Sequence, residues 1–233
     1  MSKNKYVDFV SDEHFLKCVK WVCDSYPAKS NVVVDMKRLQ KNKVDPFKML
    51  FDISNGKISV DDWIKGEVIR QSDKTINNKI GDFHQKLLGG VKGWTDLGIG
   101  DGSKVDLKRN DGLIFMELKN KFNTVNSDSL NKVREKLVKA VKSNKKAISY
   151  WAYIISKDGL SEESDWNYLG DKNPKIRKVC GAKVYEIVTG DRKALEKMWK
   201  ALPKAIKQIV GKGLLIQQKD MKKLVEFYQQ AFH

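Results

Sequence analysis

The sequence predicts an α/β fold in which a mixed β-sheet core is flanked by helices and preceded by a mainly helical N-terminal region. Three observations predict it. Apolar residues recur at helical spacing up to Gly90. A strong turn signal, Arg109-Asn110-Asp111-Gly112, then separates two strand-like runs. Beyond a further amphipathic helix, the aromatic and β-branched run Ile148 to Ile155 fits a buried strand. Helices followed by hairpin, helix, strand, strand and helix belong to a sheet-centred mixed domain.

Ser11 is placed to cap a first helix carrying Phe15, Val19, Val22, Cys23 and Tyr26. Asp45-Pro46 opens a short second one with Phe47, Leu50 and Phe51, the proline lying in a tolerated first-turn position. Ser59, with Asp62 three residues on, begins a third bearing Val60, Trp63, Ile64 and Val68. A fourth runs from about Lys74 through Ile76, Ile80, Phe83 and Leu87 until Gly89-Gly90 stops it. A glycine-rich loop containing Gly98, Gly100 and Gly102 leads into strands over Val105–Lys108 and Leu113–Lys119. After the polar stretch Asn120–Ser129 comes a helix with Leu130, Val133, Leu137 and Val141 on one face. A polar loop over residues 157–175 precedes a predicted strand at Lys183–Val188, and helices near 191–210 and 218–231 close the chain. Without internal repeats or low-complexity tracts, the 233 residues are expected to form one domain: a helical part over 1–90, a sheet core over 91–190 and C-terminal helices over 191–233.

Charge gives the first functional clue. Lys and Arg number 45 against 29 Asp and Glu, a formal charge of +16. Such a surplus attracts polyanions, of which nucleic-acid phosphates are the commonest, although an overall lysine bias also contributes. No stretch approaches the roughly 18 uninterrupted apolar residues of a membrane span. The opening Met1-Ser2-Lys3-Asn4-Lys5 leads into no apolar secretory segment, so a cytoplasmic protein without a membrane partner is expected. Cys18, Cys23 and Cys180 lack zinc-ligand spacing and fit small core residues in a reducing compartment. The glycine-rich loop has no Walker spacing, which argues against nucleotide binding.

The pattern Asp or Glu, any residue, Lys occurs five times, at Asp35, Asp106, Glu117, Asp191 and Asp220, and means little by itself in a lysine-rich chain. Geometry selects among them. With Asp111-Gly112 as turn residues, paired positions sum to 223 and Asp106 lies opposite Glu117; with Asn110-Asp111 they sum to 221 and the two are diagonal neighbours. Side chains alternate along a strand, so either register puts Asp106, Glu117 and Lys119 on one face, whereas a three-residue loop would reverse this. Two carboxylates sharing a face repel and call for a cation, and hard oxygen ligands suit Mg²⁺. The plainer alternative is a cross-strand Lys–Glu pair on a solvated face.

Asp106 followed by Glu117-Leu118-Lys119 on the next strand resembles the PD-(D/E)XK nuclease signature, with Val105 standing where that signature has proline. The surrounding Ile80-Gly81-Asp82-Phe83-His84-Gln85-Lys86-Leu87-Leu88-Gly89, then Gly93-Trp94, Val105-Asp106-Leu107-Lys108 and Glu117-Leu118-Lys119-Asn120-Lys121-Phe122-Asn123-Thr124 are similar to type II restriction endonucleases that recognise GGNCC. The resemblance covers roughly residues 60 to 130 well and the remainder loosely. It implies a restriction-endonuclease-like sheet and a homodimer that cuts double-stranded DNA at a short palindrome with Mg²⁺. The ion would be held by Asp106, Glu117 and the Leu118 carbonyl, with Lys119 assisting the nucleophile. The competing functions are a structure-specific or repair nuclease of the same fold and a non-catalytic DNA-binding protein.

Further residues carry two readings each. Glu67 is a candidate third acid from a helix before the hairpin, or a solvated helix carboxylate. His84 is a candidate phosphate contact, or a packing histidine. Asn123, Thr124 and Asn126 are placed to donate to phosphates or read base edges, or belong to a loop that caps the next helix. Lys139 and Lys142, among Lys132, Arg134, Lys136, Lys145 and Lys146, line a DNA cleft or a solvated helix face, opposed only by Glu135. Trp94, Trp151, Trp166 and Trp199 read as core or loop anchors.

Overall fold

The structure, a computed structural model, describes residues 4–26, 43–98, 105–211 and 218–232. It divides into two compact units, Met1–Cys23 with Gly81–His233, and Asp24–Ile80. Asp35 and most of the glycine-rich loop, Gly100 and Gly102 included, lie outside the described residues.

Side-chain caps start the N-terminal helices. Ser11 opens helix α1 (Asp12–Cys23), its hydroxyl accepting the His14 amide at 3.2 Å. In the smaller unit, Asp45 caps helix α2 (Pro46–Gly56). Its Oδ1 accepts from the amides of Phe47 at 2.9 Å and Lys48 at 3.2 Å, with Pro46 in the first turn. Ser59 and Asp62 start helix α3 (Val60–Gly89) reciprocally: the Asp62 amide donates to Ser59 Oγ, and that hydroxyl donates to the Asp62 carboxylate. The buried Trp63 donates its indole N–H to Asp52 at 2.8 Å.

Helix α3 runs its whole length without a break, where the periodicity predicts two helices. Residues 69–75, Ile-Arg-Gln-Ser-Asp-Lys-Thr, contain neither glycine nor proline, so nothing interrupts the backbone ladder although the apolar pattern lapses there. The helix stops at Gly89-Gly90, where the chain passes close to a neighbouring strand. A Cβ on Gly89 would come within 2.4 Å of that of Asp96.

The larger unit is built on a six-stranded sheet in the order β1-β2-β3-β4-β6-β5, with β1 Trp94–Asp96, β2 Leu107–Arg109, β3 Ile114–Lys121, β4 Ile148–Ile155, β5 Glu163–Asp165 and β6 Ile176–Cys180. β3, β4 and β6 are parallel, and antiparallel strands complete both sides, so the sheet is mixed. Helix α4 (Ser127–Ser143) carries the chain from β3 to the parallel β4, as a parallel pairing requires. Asn126 caps α4, accepting the Ser129 amide at 2.9 Å. Val133, Leu137 and Val141 form its buried stripe and pack with Phe115, Ala147 and Ile176 on one face of the sheet. Met116, Leu118, Tyr150, Ala152 and Ile154 point to the other face. There they pack with α1, the end of α3, α5 (Ala182–Thr189) and α6 (Ala194–Val210). A last helix, α7 (Gln218–Ala231), follows.

The predicted strand at Lys183–Val188 is instead α5. Its β-branched residues favour a strand locally, but Val184, Tyr185 and Val188 are buried together at helical spacing, and Gly190 ends the helix in the left-handed region. The strand of this region is the preceding β6, parallel to β4 and buried at Ile176, Val179 and Cys180. Three-residue β1 and β5 are not predicted either, being too short to carry a period. Arg134 ties the loop before β6 to α4: buried, it donates to the Trp166 carbonyl at 3.2 Å and to Asp171, and its guanidinium lies 5.1 Å from the Trp166 ring centroid. No described helix is long and apolar enough to cross a membrane.

Because Leu137 is fully buried between α4 and the sheet, Leu137→Ala is expected to cost about 2–5 kcal/mol. Chemical denaturation measures this; a loss below about 1 kcal/mol would mean that α4 is not anchored by its apolar stripe.

Candidate active site

The site begins with the hairpin register. Leu107 pairs with Met116 and Lys108 with Phe115, the register whose partners sum to 223. The closing turn nevertheless runs from Arg109 to Gly112, whose amide donates to the Arg109 carbonyl at 2.8 Å. Gly112 takes a positive φ of 71°, and Asp111 accepts the Leu113 amide. The connection stays even in length, which carries Asp106 to the level of Glu117.

The two carboxylates and Lys119 meet at the α4 side of β3. Lys119 Nζ lies 3.0 Å from Glu117 Oε1 and 3.7 Å from Asp106 Oδ2, and the Leu118 amide donates to Asp106 Oδ2 at 2.7 Å. Glu117, 2% exposed, is the most deeply buried acidic residue among those described. Burial first, and the nearby Glu117 charge in addition, push the Asp106 carboxyl up to about 6 against the pull of Lys119. Burial works against the Lys119 ammonium, but Asp106 and Glu117 outweigh it and hold its pKa above the ordinary lysine value. Lys119 is therefore a charged hydrogen-bond donor in this arrangement.

Glu117 has a second cationic partner, which sequence reasoning left within a lysine-rich helix face. Lys136, on α4, bonds both Glu117 oxygens, at 3.0 and 3.1 Å. Its position three residues after the buried Val133 sets it at the flank of the apolar stripe, one turn from Lys132 and Lys139. That spacing is the signal in the sequence, submerged because so many neighbours are also lysine.

A cleft of about 520 Å³ opens over Glu117 and Lys119, lined also by Ser129, Lys132, Glu135, Lys136 and Lys139. Lys142 borders an adjoining shallow pocket with Lys139. Asn123 and Thr124 are exposed beyond the end of β3, with the Thr124 hydroxyl donating to the Lys121 carbonyl. Asn126 spends its side-chain oxygen on the α4 cap. The tryptophans are packing residues in large part: Trp94 and Trp166 are buried, and Trp151 lies 4.9 Å from Trp166, centroid to centroid. The three cysteines are free thiols, Cys18 and Cys180 buried.

Of the two readings of His84, the geometry corrects the phosphate contact in favour of the packing residue. His84 is buried on α3 with Nδ1 2.7 Å from the Tyr185 hydroxyl, and burial lowers its pKa to about 4, so the ring is neutral. Glu67 is buried in the smaller unit. Arg70 grips both its oxygens at 2.6 Å, Gln71 donates at 3.0 Å, and the Arg70 hydrogen bonds hold its carboxyl below the usual value.

The donor set fits a divalent metal. Asp106 and Glu117 supply hard oxygens compensated by flexible ammonium groups, and burial draws Asp106 toward its neutral form. Among the described residues no third His, Cys, Asp or Glu completes an all-protein cage. Such a partial set is what Mg²⁺-type sites use when substrate phosphate and water fill the remaining positions.

Comparison with known proteins decides the family. Residues 7–211 match the family model described as Eco47II restriction endonuclease. The chain belongs to that family. It is 30% identical over 240 residues to the type II restriction enzyme Sau96I of Staphylococcus aureus, covering 98% of this chain and 90% of the relative. It is 35% identical over 219 residues to the type II restriction enzyme Eco47II of Escherichia coli, covering 89% and 90% respectively. The chain is thus a type II restriction endonuclease, a DNA-binding, site-specific deoxyribonuclease, and its family uses a divalent metal. A lysine-rich cleft over Glu117 and Lys119, with Asp106 beside Lys119, is consistent with that chemistry.

The raised Asp106 pKa has a sign that can be tested without metal. A carboxyl whose folded pKa exceeds its unfolded one costs stability at high pH; the cost is full above about 6 and vanishes below 3.8. In EDTA, Asp106→Asn, which keeps an acceptor for the Leu118 amide, should gain up to about 3 kcal/mol above pH 7. The gain should disappear toward about pH 4. Equal stability of the two proteins in urea at about pH 8 would contradict a destabilised carboxylate.

Proposed function

We propose that the protein cuts both strands of a short palindromic duplex site, GGNCC or a close relative, as a homodimer using Mg²⁺ held at Asp106 and Glu117. The observation that carries the reading is the convergence of these two carboxylates on Lys119, with Glu117 and Lys119 lining a lysine-rich cleft. The specificity rests on the resemblance carried by Ile80–Gly89 and by Glu117–Thr124. The homodimer rests on symmetry: one Asp–Glu–Lys set per chain attacks one strand, and a two-fold axis supplies the second set for the other.

Asp106, Glu117 and the Leu118 carbonyl would hold the ion, which when bound polarises the scissile phosphoryl group and acidifies a water. Glu117 and Asp106 fix the position of that centre on the rigid β2–β3 hairpin. Lys119, kept protonated by its two carboxylate neighbours, orients the attacking oxygen and offsets the negative charge that develops on the phosphorane oxygens. Lys132 and Lys139, with Lys142 beyond them, steer and seat the DNA backbone, and the exposed Asn123 and Thr124 are polar candidates for contacts to it.

Asp106→Ala, Glu117→Ala and Lys119→Ala should each lower cleavage of plasmid by at least about 100-fold with the fold retained. Sequenced fragment ends should share a GGNCC-like palindrome. A folded Glu117→Ala protein cutting at the wild-type rate in Mg²⁺ would remove the mechanism, and ends with no common palindrome would remove the specificity.

Duplex affinity should also fall steeply with salt, since each phosphate neutralised releases counterions. Replacing Lys139, Lys142 and Lys145 together with Gln should flatten the log–log slope by about 2–3 if all three neutralise phosphates. An unchanged slope would leave those lysines on a solvated face.

A further inference from the structure

Lys136 is the cation that lies across Glu117. Its ammonium bonds both carboxylate oxygens, while Lys119 adds a third hydrogen bond to Oε1. The contact is not a loose surface pair. Glu117 is 3% and Lys136 19% exposed in their side chains, and α4 is held against the sheet by Val133 and Leu137 on either side of Lys136. A divalent ion coordinated by Glu117 needs lone pairs that Lys136 now engages, and it would sit within a few ångströms of the ammonium. Two such positive charges repel strongly in a poorly solvated site. Ion and ammonium therefore compete for one carboxylate. The open cleft beside Lys136, lined also by Ser129, Lys132 and Lys139, gives the displaced side chain somewhere to go.

We propose that Lys136 is a further positioning residue of the active site: it takes the place of the divalent ion on Glu117 in the ion-free protein and is exchanged off that carboxylate when the ion binds. The inference rests on the reading of Glu117 as a metal ligand. In the ion-free protein Lys136 keeps a deeply buried carboxylate compensated and fixed in orientation, and the cost is weakened affinity for the ion. The exchange also moves one positive charge from the carboxylate into the cleft that receives the DNA backbone.

The test is calorimetric titration of Mg²⁺ into the full-length protein without DNA, so that no turnover enters the readout. Lys136→Met, which keeps the apolar stem and removes the ammonium, should bind Mg²⁺ about tenfold or more tightly than the wild type, and Lys136→Gln should shift affinity in the same direction. Lys132→Met, which removes another cleft ammonium, is the control for through-space repulsion: it should tighten binding clearly less than Lys136→Met, and equal tightening by the two overturns the exchange. Glu117→Gln, titrated in parallel, should lose most of the affinity. If Glu117→Gln weakens binding while both Lys136 variants bind as the wild type or less well, the exchange is overturned and the ligand assignment stands. If Glu117→Gln binds Mg²⁺ as the wild type does, the ligand assignment itself falls. Should Lys136→Met fail to fold, as judged by circular dichroism, unchanged or weaker binding by Lys136→Gln overturns the proposal equally.

Discussion

The burial of Glu117 in the middle of the central strand β3 is the constraint on which the charged groups around it depend. A carboxylate so little exposed is tolerated only with compensating charge close by, and Lys119 from the same strand and Lys136 from α4 provide it. Both ammoniums require specific tertiary placement. Lys119 needs the alternation of β3 to bring it to the same face as Glu117, and Lys136 needs the crossover helix to pass directly above that face. The even hairpin connection is a third requirement, because a one-residue slip would turn Asp106 toward the opposite, apolar layer.

Helix α4 therefore serves two roles at once. Its inner stripe of Val133, Leu137 and Val141 closes one of the two hydrophobic layers. Its flank of Lys132, Lys136 and Lys139 forms the wall of the cleft. Lysine suits this position because a long apolar stem can lie along the packed surface while the charged end reaches the carboxylate or the opening. Arg134 acts on the buried side instead. It joins the helix to the loop around Trp166 and Asp171, so the wall is braced from behind. Neighbouring cations on one helix thus divide between bracing the loop and lining the cleft according to the side they face.

Asp106 is drawn toward its neutral form by burial and by Glu117, and Lys119 is held in its charged form by both carboxylates. Neither carboxylate is left bare. The surplus of +16 over the whole chain supplies long-range attraction to DNA, while the local site is close to balanced.

Much of this was legible in the sequence. Alternation along Ile114–Lys119 and the turn at Asn110–Gly112 sufficed to place Asp106, Glu117 and Lys119 together, because period and parity are local properties. Capping by Ser11, Asp45 and Ser59, the apolar stripe of α4 and the buried strand Ile148–Ile155 were readable for the same reason. What the sequence did not determine depends on contacts between distant segments. Lys183–Val188 became a helix because its apolar side packs under β4 and β6, overriding a β-branched composition. His84 became a neutral core residue because Tyr185, 101 positions away, closes over it. Lys136 was one lysine among many until the crossover laid it on both oxygens of Glu117, since a helix's sequence gives its faces but not what each face will meet.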